Sequence, residues 1–114
     1  MKAAEGIILS TPVYYGAATP QIASLISRFY AIRDKPLKNK VSGPIVVARR
    51  ARHNFTLAQR MFFFMISEMI VPGSSYWNIA FERVKGDVLK DEEGINTMKN
   101  FGRNMAWLLK KIYA

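Results

Sequence analysis

The sequence predicts an α/β protein: a three-layer α/β/α arrangement with a short parallel sheet of about three strands and three main helices. Short apolar runs alternate with longer stretches of helical spacing. That order implies right-handed crossovers between parallel strands. The runs do not alternate apolar with polar residues, as strands covered on both faces need not. Half of the 114 residues are apolar and 12% are aromatic, enough to bury one core, so residues 1–114 are expected to form a single domain.

Gly6-Ile7-Ile8-Leu9-Ser10 is too brief for a helix and is closed by Thr11-Pro12, so it reads as a buried strand. A loop follows through Ala18. Thr19-Pro20 then marks a helix start, with Thr as N-cap and Pro at the first helical position. Ile22, Leu25, Ile26 and Phe29 keep the spacing of one buried face, and the helix is expected to end near Arg33, before Pro36. Lys38 to Ser42 forms a basic connector, and Ile45-Val46-Val47-Ala48 a second buried strand. A loop from Arg49 to Asn54 leads to a helix expected over Phe55 to Met69. Its segment Met61-Phe62-Phe63-Phe64-Met65-Ile66 is apolar all round, unlike a helix with one solvated face. Met69-Ile70-Val71 reads as a third strand, stopped by Pro72-Gly73, and Ser74 to Lys90 as irregular, with room for a short strand around Trp77 to Phe81. Asp91-Glu92-Glu93 opens the last helix with negative charge at the positive end of its dipole. Met98, Phe101, Met105, Leu108, Leu109 and Ile112 form its buried face. Ligands of such sheets bind beyond the carboxyl ends of the strands, which places Thr11 to Ala18, Arg49 to Asn54 and the stretch after Val71 on one rim.

Composition narrows the function. No apolar run reaches the roughly 18 to 20 residues of a membrane span. Met1-Lys2 leads straight into a strand without a signal-peptide pattern. There is no cysteine, hence no disulfide framework, thiolate zinc site or cysteine-ligated cluster. A cytoplasmic protein without a membrane partner is the expectation. Charge is the abnormal quantity: 17 Lys/Arg against 8 Asp/Glu give +9. From Arg28 to Arg60 there are nine basic residues and one acid, Asp34, while the rest of the chain is near neutral. Such a cluster suits an anionic partner, whether nucleic acid, a phosphorylated cofactor or a membrane surface, and equally a solubilising face.

Pro12-Val13-Tyr14-Tyr15-Gly16 is the most informative segment. It can present a flat apolar wall and backbone N–H groups to a planar heterocycle, or form an ordinary strand-to-helix turn with one Tyr packed inward. Arg49-Arg50-Ala51-Arg52-His53-Asn54 reads either as an electrostatic clamp for phosphates or as a solvated basic turn. His53 is the sole histidine and has no ligand set near it in sequence, so no metal site is expected. No Ser/His/Asp constellation accompanies Ser10, Thr11 or Ser24. Tyr76-Trp77 and Phe62 to Phe64 have the chemistry to stack bases, the second also that of core or interface.

The stretch Ala3-Ala4-Glu5-Gly6-Ile7-Ile8-Leu9-Ser10-Thr11-Pro12-Val13-Tyr14-Tyr15-Gly16, with Pro20-Gln21-Ile22 and Ser27-Arg28, resembles the central block of NADPH-dependent FMN reductases. These flavodoxin-like proteins include archaeal and bacterial iron–sulfur flavoproteins. Leu37-Lys38-Asn39-Lys40 and Asp91-Glu92-Glu93-Gly94 are similar to the same family. The resemblance implies a truncated flavodoxin-like domain carrying FMN, with NAD(P)H as reductant. Thr11, Pro12, Val13, Tyr14, Tyr15 and Gly16 would line the ring, and Arg49, Arg50 and Arg52 would hold nucleotide phosphates. No side chain is assigned a catalytic acid or base role.

The resemblance begins at about the family's third strand, and Met1-Lys2-Ala3 is similar to the tail of the preceding helix. The Ser/Thr-rich phosphate loop and the cysteine motif of complete members lie before that point. The chain therefore reads as a shortened relative, one begun at an internal methionine, or half of a split protein, without an iron–sulfur cluster. The loop after the second strand is usually glycine-rich in this family, yet no glycine lies between Gly43 and Gly73. Three functions follow as expectations: an FMN reductase-type oxidoreductase with weakened or lost flavin binding, a non-enzymatic domain, or nucleic-acid binding through residues 28–60. For the second, another copy or a first-half polypeptide would cover the Gly6–Ser10 strand. The third lacks a glycine/aromatic sheet motif or a recognition helix, so nucleic acid is not the expected partner.

Overall fold

A computed structural model describes residues 1–32 and 34–114. Three parallel strands, β1 (Gly6–Pro12), β2 (Val41–Ala48) and β3 (Ile79–Phe81), lie in the order β1-β2-β3. Between them run α1 (Pro20–Tyr30) and α2 (His53–Ile66), and α3 (Glu92–Ile112) follows a short 3-10 turn at Asp87–Lys90. Ile7 and Leu9 point toward α1 and α2, where Phe63, Phe64 and Leu37 close a core with Ile26 and Phe29 at its margin. Val41 and Ile45 point the other way, against Phe101 and Met105 of α3. The three layers and the parallel sheet are those the sequence predicts.

Several boundaries differ for physical reasons. The expected end of the first helix, near Arg33, falls outside the described residues; α1 itself ends at Tyr30. The second helix starts at His53 and stops at Ile66 rather than spanning Phe55 to Met69, because Glu68 takes a left-handed φ of 55° that a helix does not continue. The second strand begins at Val41, four residues before the predicted Ile45, since Gly43-Pro44 sits inside it instead of breaking it. Gly43 gives space rather than freedom: a Cβ there would collide with the Phe101 ring, which lies on the strand.

The predicted third strand, Met69-Ile70-Val71, is reduced to one bridge, Ile70 to Val41. The strand proper is Ile79–Phe81, inside the Trp77 to Phe81 stretch read as a short strand, and it pairs with Val46 to Ala48. Pro44 explains the split. Ser42 and Val46 donate their N–H groups to Ile70 and Asn78 on this side, at 2.8 and 3.0 Å. Between them Pro44 has no N–H to donate, so the neighbouring chain leaves the ladder as Val71 to Asn78 and then returns. Ser74 Oγ donates to the Thr97 carbonyl at 2.7 Å and Asn104 Nδ2 to that of Gly73 at 2.8 Å, fastening the excursion to α3.

Strand β1 is not covered on both faces. Ile7, Leu9 and Thr11 are buried while Ile8 is 47% exposed. Helix α3 packs over β2 and β3, reaching the first strand through Leu109 at Gly6. Of the face predicted for α3, Phe101 and Met105 are buried and Leu108 and Leu109 partly so, but Ile112 is exposed. Asp91 starts this helix in two ways: Oδ1 accepts the Gly94 N–H at 3.0 Å and Oδ2 that of Phe81 at 2.8 Å. One carboxylate thus caps the helix and ends the sheet.

Candidate functional site

The carboxyl ends of the strands build a rim from three segments. The first follows β1. Thr11 is 1% exposed, and its hydroxyl accepts the Thr19 N–H at 3.1 Å and donates to the Pro12 carbonyl at 3.0 Å. It therefore ties the strand end to the start of α1 and holds the loop between them. Val13 N donates to the Val47 carbonyl at 2.9 Å, extending the ladder by one bond. Tyr14 and Ala17 then exchange two backbone bonds, of 2.9 and 3.1 Å, around Tyr15 and Gly16 at φ 51° and 81°. Positive φ at both central residues is the hairpin turn that favours glycine at its second position. The turn pushes its rings outward: Tyr14 is 60% exposed and Tyr15 fully so, and neither packs inward.

The second segment follows β2. Arg49 and Arg50 are exposed, and Arg52 adopts φ 66° at the start of α2. Its side chain lies on the first segment: a Cβ on Gly16 would stand 3.0 Å from Arg52 Cδ. Thr56, fully buried, donates its hydroxyl between the carbonyls of Gly16 and Arg52 at 3.3 and 3.2 Å. This residue was not among those expected at the site. Nothing in the sequence around a lone helical Thr signals that it joins two loops. The first turn of α2 contains no acid and no side-chain cap, so its positive dipole end adds to the three arginines.

The third segment is Glu82 onward, not the stretch after Val71, because Ile70 pairs at the amino end of β2. Glu82 N donates to the Ala48 carbonyl at 3.1 Å. The His53 ring meets Phe81 edge-on at 5.1 Å, and its Nδ1 is buried without a partner. Among the described residues, no group of three or more His, Asp or Glu side chains is placed to hold a metal ion. No described helix is long and apolar enough to cross a membrane.

The structure thus brings Tyr14, Tyr15, Gly16 and Arg52 together, with Arg49 and Arg50 beside them and Thr11, Pro12 and Val13 beneath as supports. It also divides the basic stretch. Lys35 and Lys38 pair with Glu68, and Lys40 donates to the Ala4 carbonyl at the amino end of the sheet. Arg60 is buried. Among the described residues of this stretch, the three loop arginines are the ones that follow β2 onto the carboxyl rim.

A parallel sheet with helices on both faces and a polar rim at its carboxyl end defines a flavodoxin-like α/β protein. Solved structures agree on the fold. A flavodoxin, WrbA-like protein from Agrobacterium tumefaciens superposes with a TM-score of 0.70 at 16% identity, over 90% of this chain and 68% of its own. RosB, solved with a bound formylriboflavin phosphate intermediate, gives 0.76 at 16% identity over 98% of this chain and 50% of its own. The family model for NADPH-dependent FMN reductase matches residues 1–83, and the chain belongs to that family. An iron–sulfur flavoprotein of Methanocaldococcus jannaschii is 35% identical across 98% of this chain and 62% of its own length. One from Archaeoglobus fulgidus is 28% identical across 98% of this chain and 63% of its own. The chain therefore spans about three fifths of the length of these curated relatives. With no cysteine in the sequence, it offers no thiolate donors for a cluster.

Proposed function

We propose that the carboxyl rim is the ring-binding side of a flavin site and that the chain serves an NAD(P)H-dependent, FMN reductase-type oxidoreductase. Family membership supports this reading. The observation that carries it is the exposed Tyr14–Ala17 turn seated against Arg52, beside a helix start that carries no acid. The residues suit a flavin nucleotide: two solvent-facing tyrosine rings for a flat heterocycle, and three arginines with a helix amino end for anionic oxygens.

Tyr14 and Tyr15 offer faces or edges to the ring and shield it from water. Arg49, Arg50 and Arg52 bind phosphate oxygens of the flavin or of NAD(P)H. Thr11, Pro12 and Val13 fix the height of the turn above the sheet. When bound, the flavin supplies hydride acceptance and onward electron transfer, so the chain need provide only binding, orientation and desolvation.

The test is titration of FMN with the purified chain. Quenched flavin fluorescence at micromolar concentration, weakened about tenfold or more by Arg52→Ala, is the expected outcome. Fluorescence unchanged at saturating protein would overturn the reading. The exposed edge of β1, with Ile8 half out, favours a second reading. In it the sheet is completed by another copy or by a separate polypeptide, and flavin binding is weakened or lost.

A further inference from the structure

A second concave site lies at the opposite end of the sheet, between α1, α2 and the connector before β2. Ile26, Phe29, Phe62, Phe63 and Ile66 line a groove of about 640 Å³, within the range of small-molecule pockets. Its walls are mainly apolar, though Ser27, Gln59, Ser67 and the Glu68-paired Lys35 also line it, and Phe62 and Ile66 are 69% and 70% exposed. Arg60 also lines it.

Arg60 is anomalous. Its residue is 91% buried, yet among the described residues no carboxylate lies within ion-pair distance. Its Nε is buried and makes no hydrogen bond, as is Oε1 of the neighbouring Gln59. The nearby acids do not serve it: Glu68 is held by Lys35 and Lys38, and Asp34 is exposed. Burial depresses the guanidinium pKa, but arginine remains charged at physiological pH. Only Nε is among the buried, unbonded atoms, so the terminal nitrogens of this partly desolvated cation stay open to a ligand; an apolar side chain of like volume would avoid the desolvation cost altogether. A cation kept on an apolar groove has a physical rationale if an anion enters there.

We propose that this groove binds a small amphipathic carboxylate, its hydrocarbon body between Phe29, Phe62 and Ile66 and its carboxylate on Arg60. The anion supplies the missing counter-charge. The apolar walls exclude water and strengthen the pair. The site is independent of the carboxyl rim, which lies at the other end of α2.

The experiment compares octanoate, octanol and octylammonium by calorimetric titration of the full chain. Octanoate is expected to bind about tenfold or more tightly than octanol, and octylammonium not at all. Arg60→Met removes the preference for octanoate over octanol while leaving FMN quenching unchanged. Phe62→Ser, on an exposed position, weakens octanoate and octanol equally. Equal affinity for octanoate and octanol in the native chain, or no binding of either, overturns the proposal, as does a preference that survives Arg60→Met. The comparison of ligands on the native chain stands even if the Arg60 variant fails to fold.

Discussion

Arg52 holds a backbone conformation that glycine adopts freely and an arginine adopts at a cost. The family resemblance leads one to expect glycine in this loop, and the loop retains a glycine-like turn in spite of its side chains. What the arginine gains is the contact with Gly16. The turn depends on that glycine twice, for its φ of 81° and for the room it leaves Arg52. Gly16→Ala is accordingly expected to destabilise the protein by about 1–2 kcal/mol, the cost of left-handed backbone for a residue with Cβ. Urea unfolding measures it, and an unchanged midpoint would show that the turn is free to move away from Arg52. The sequence made Tyr14, Tyr15 and Gly16 conspicuous, but not the contact between Gly16 and Arg52, 36 residues apart along the chain. Thr56 was hidden for the same reason: its role lies in two carbonyls brought to it by the sheet.

At the scale of elements, the sequence revealed the order of strands and helices but not where the third strand pairs. Ile70 has the character of a strand residue and does make a bridge, and Ile79–Phe81 lies within the Trp77 to Phe81 stretch read as a short strand; what the sequence left open is which of the two continues the ladder. The deciding factor was Pro44, a residue of the neighbouring strand. Its missing donor acts across the sheet and leaves no mark in the sequence of residues 69–81. Charge acts across elements too. Glu68, just past α2, is held by Lys35 and Lys38 of the connector, and their hydrogen bonds lower its pKa from 4.5 to about 2. A carboxylate depressed on folding contributes stability that is present above its unfolded pKa and lost as pH falls through the folded value. The melting temperature should therefore drop between about pH 4.5 and pH 2, and Glu68→Gln should flatten that limb. Because all three side chains are substantially exposed, added salt should also shrink the effect. Parallel acid limbs in the two proteins would argue that the ion pairs contribute nothing.

Across the whole molecule, the basic stretch 28–60, in its described residues, is not one patch. Strand β2 carries its two portions to opposite ends of the sheet, roughly 26 Å apart at the usual rise per residue. The rim and the groove proposed above are accordingly separate sites. The outer edge of β1 has no partner strand among the described residues, and Ile8 stands beside it. Unpaired edges of this kind recruit other chains. Native mass spectrometry is expected to find assemblies larger than the 13.0 kDa chain, reduced by Ile8→Lys. A native chain that stays monomeric across concentration would count against a covering copy.

Pro44 has a consequence for how such a sheet can diversify. Where a strand lacks a donor, its neighbour can depart without forfeiting a hydrogen bond at that position, so Val71 to Asn78 occupies a tolerated insertion point. Extra residues between Ser75 and Tyr76 would add mainly loop-closure entropy, about 0.6 kcal/mol per doubling of length, while Ile70 and Ile79 kept their register. A single imino acid thus leaves a protein of this architecture a place to acquire new surface without rebuilding its sheet.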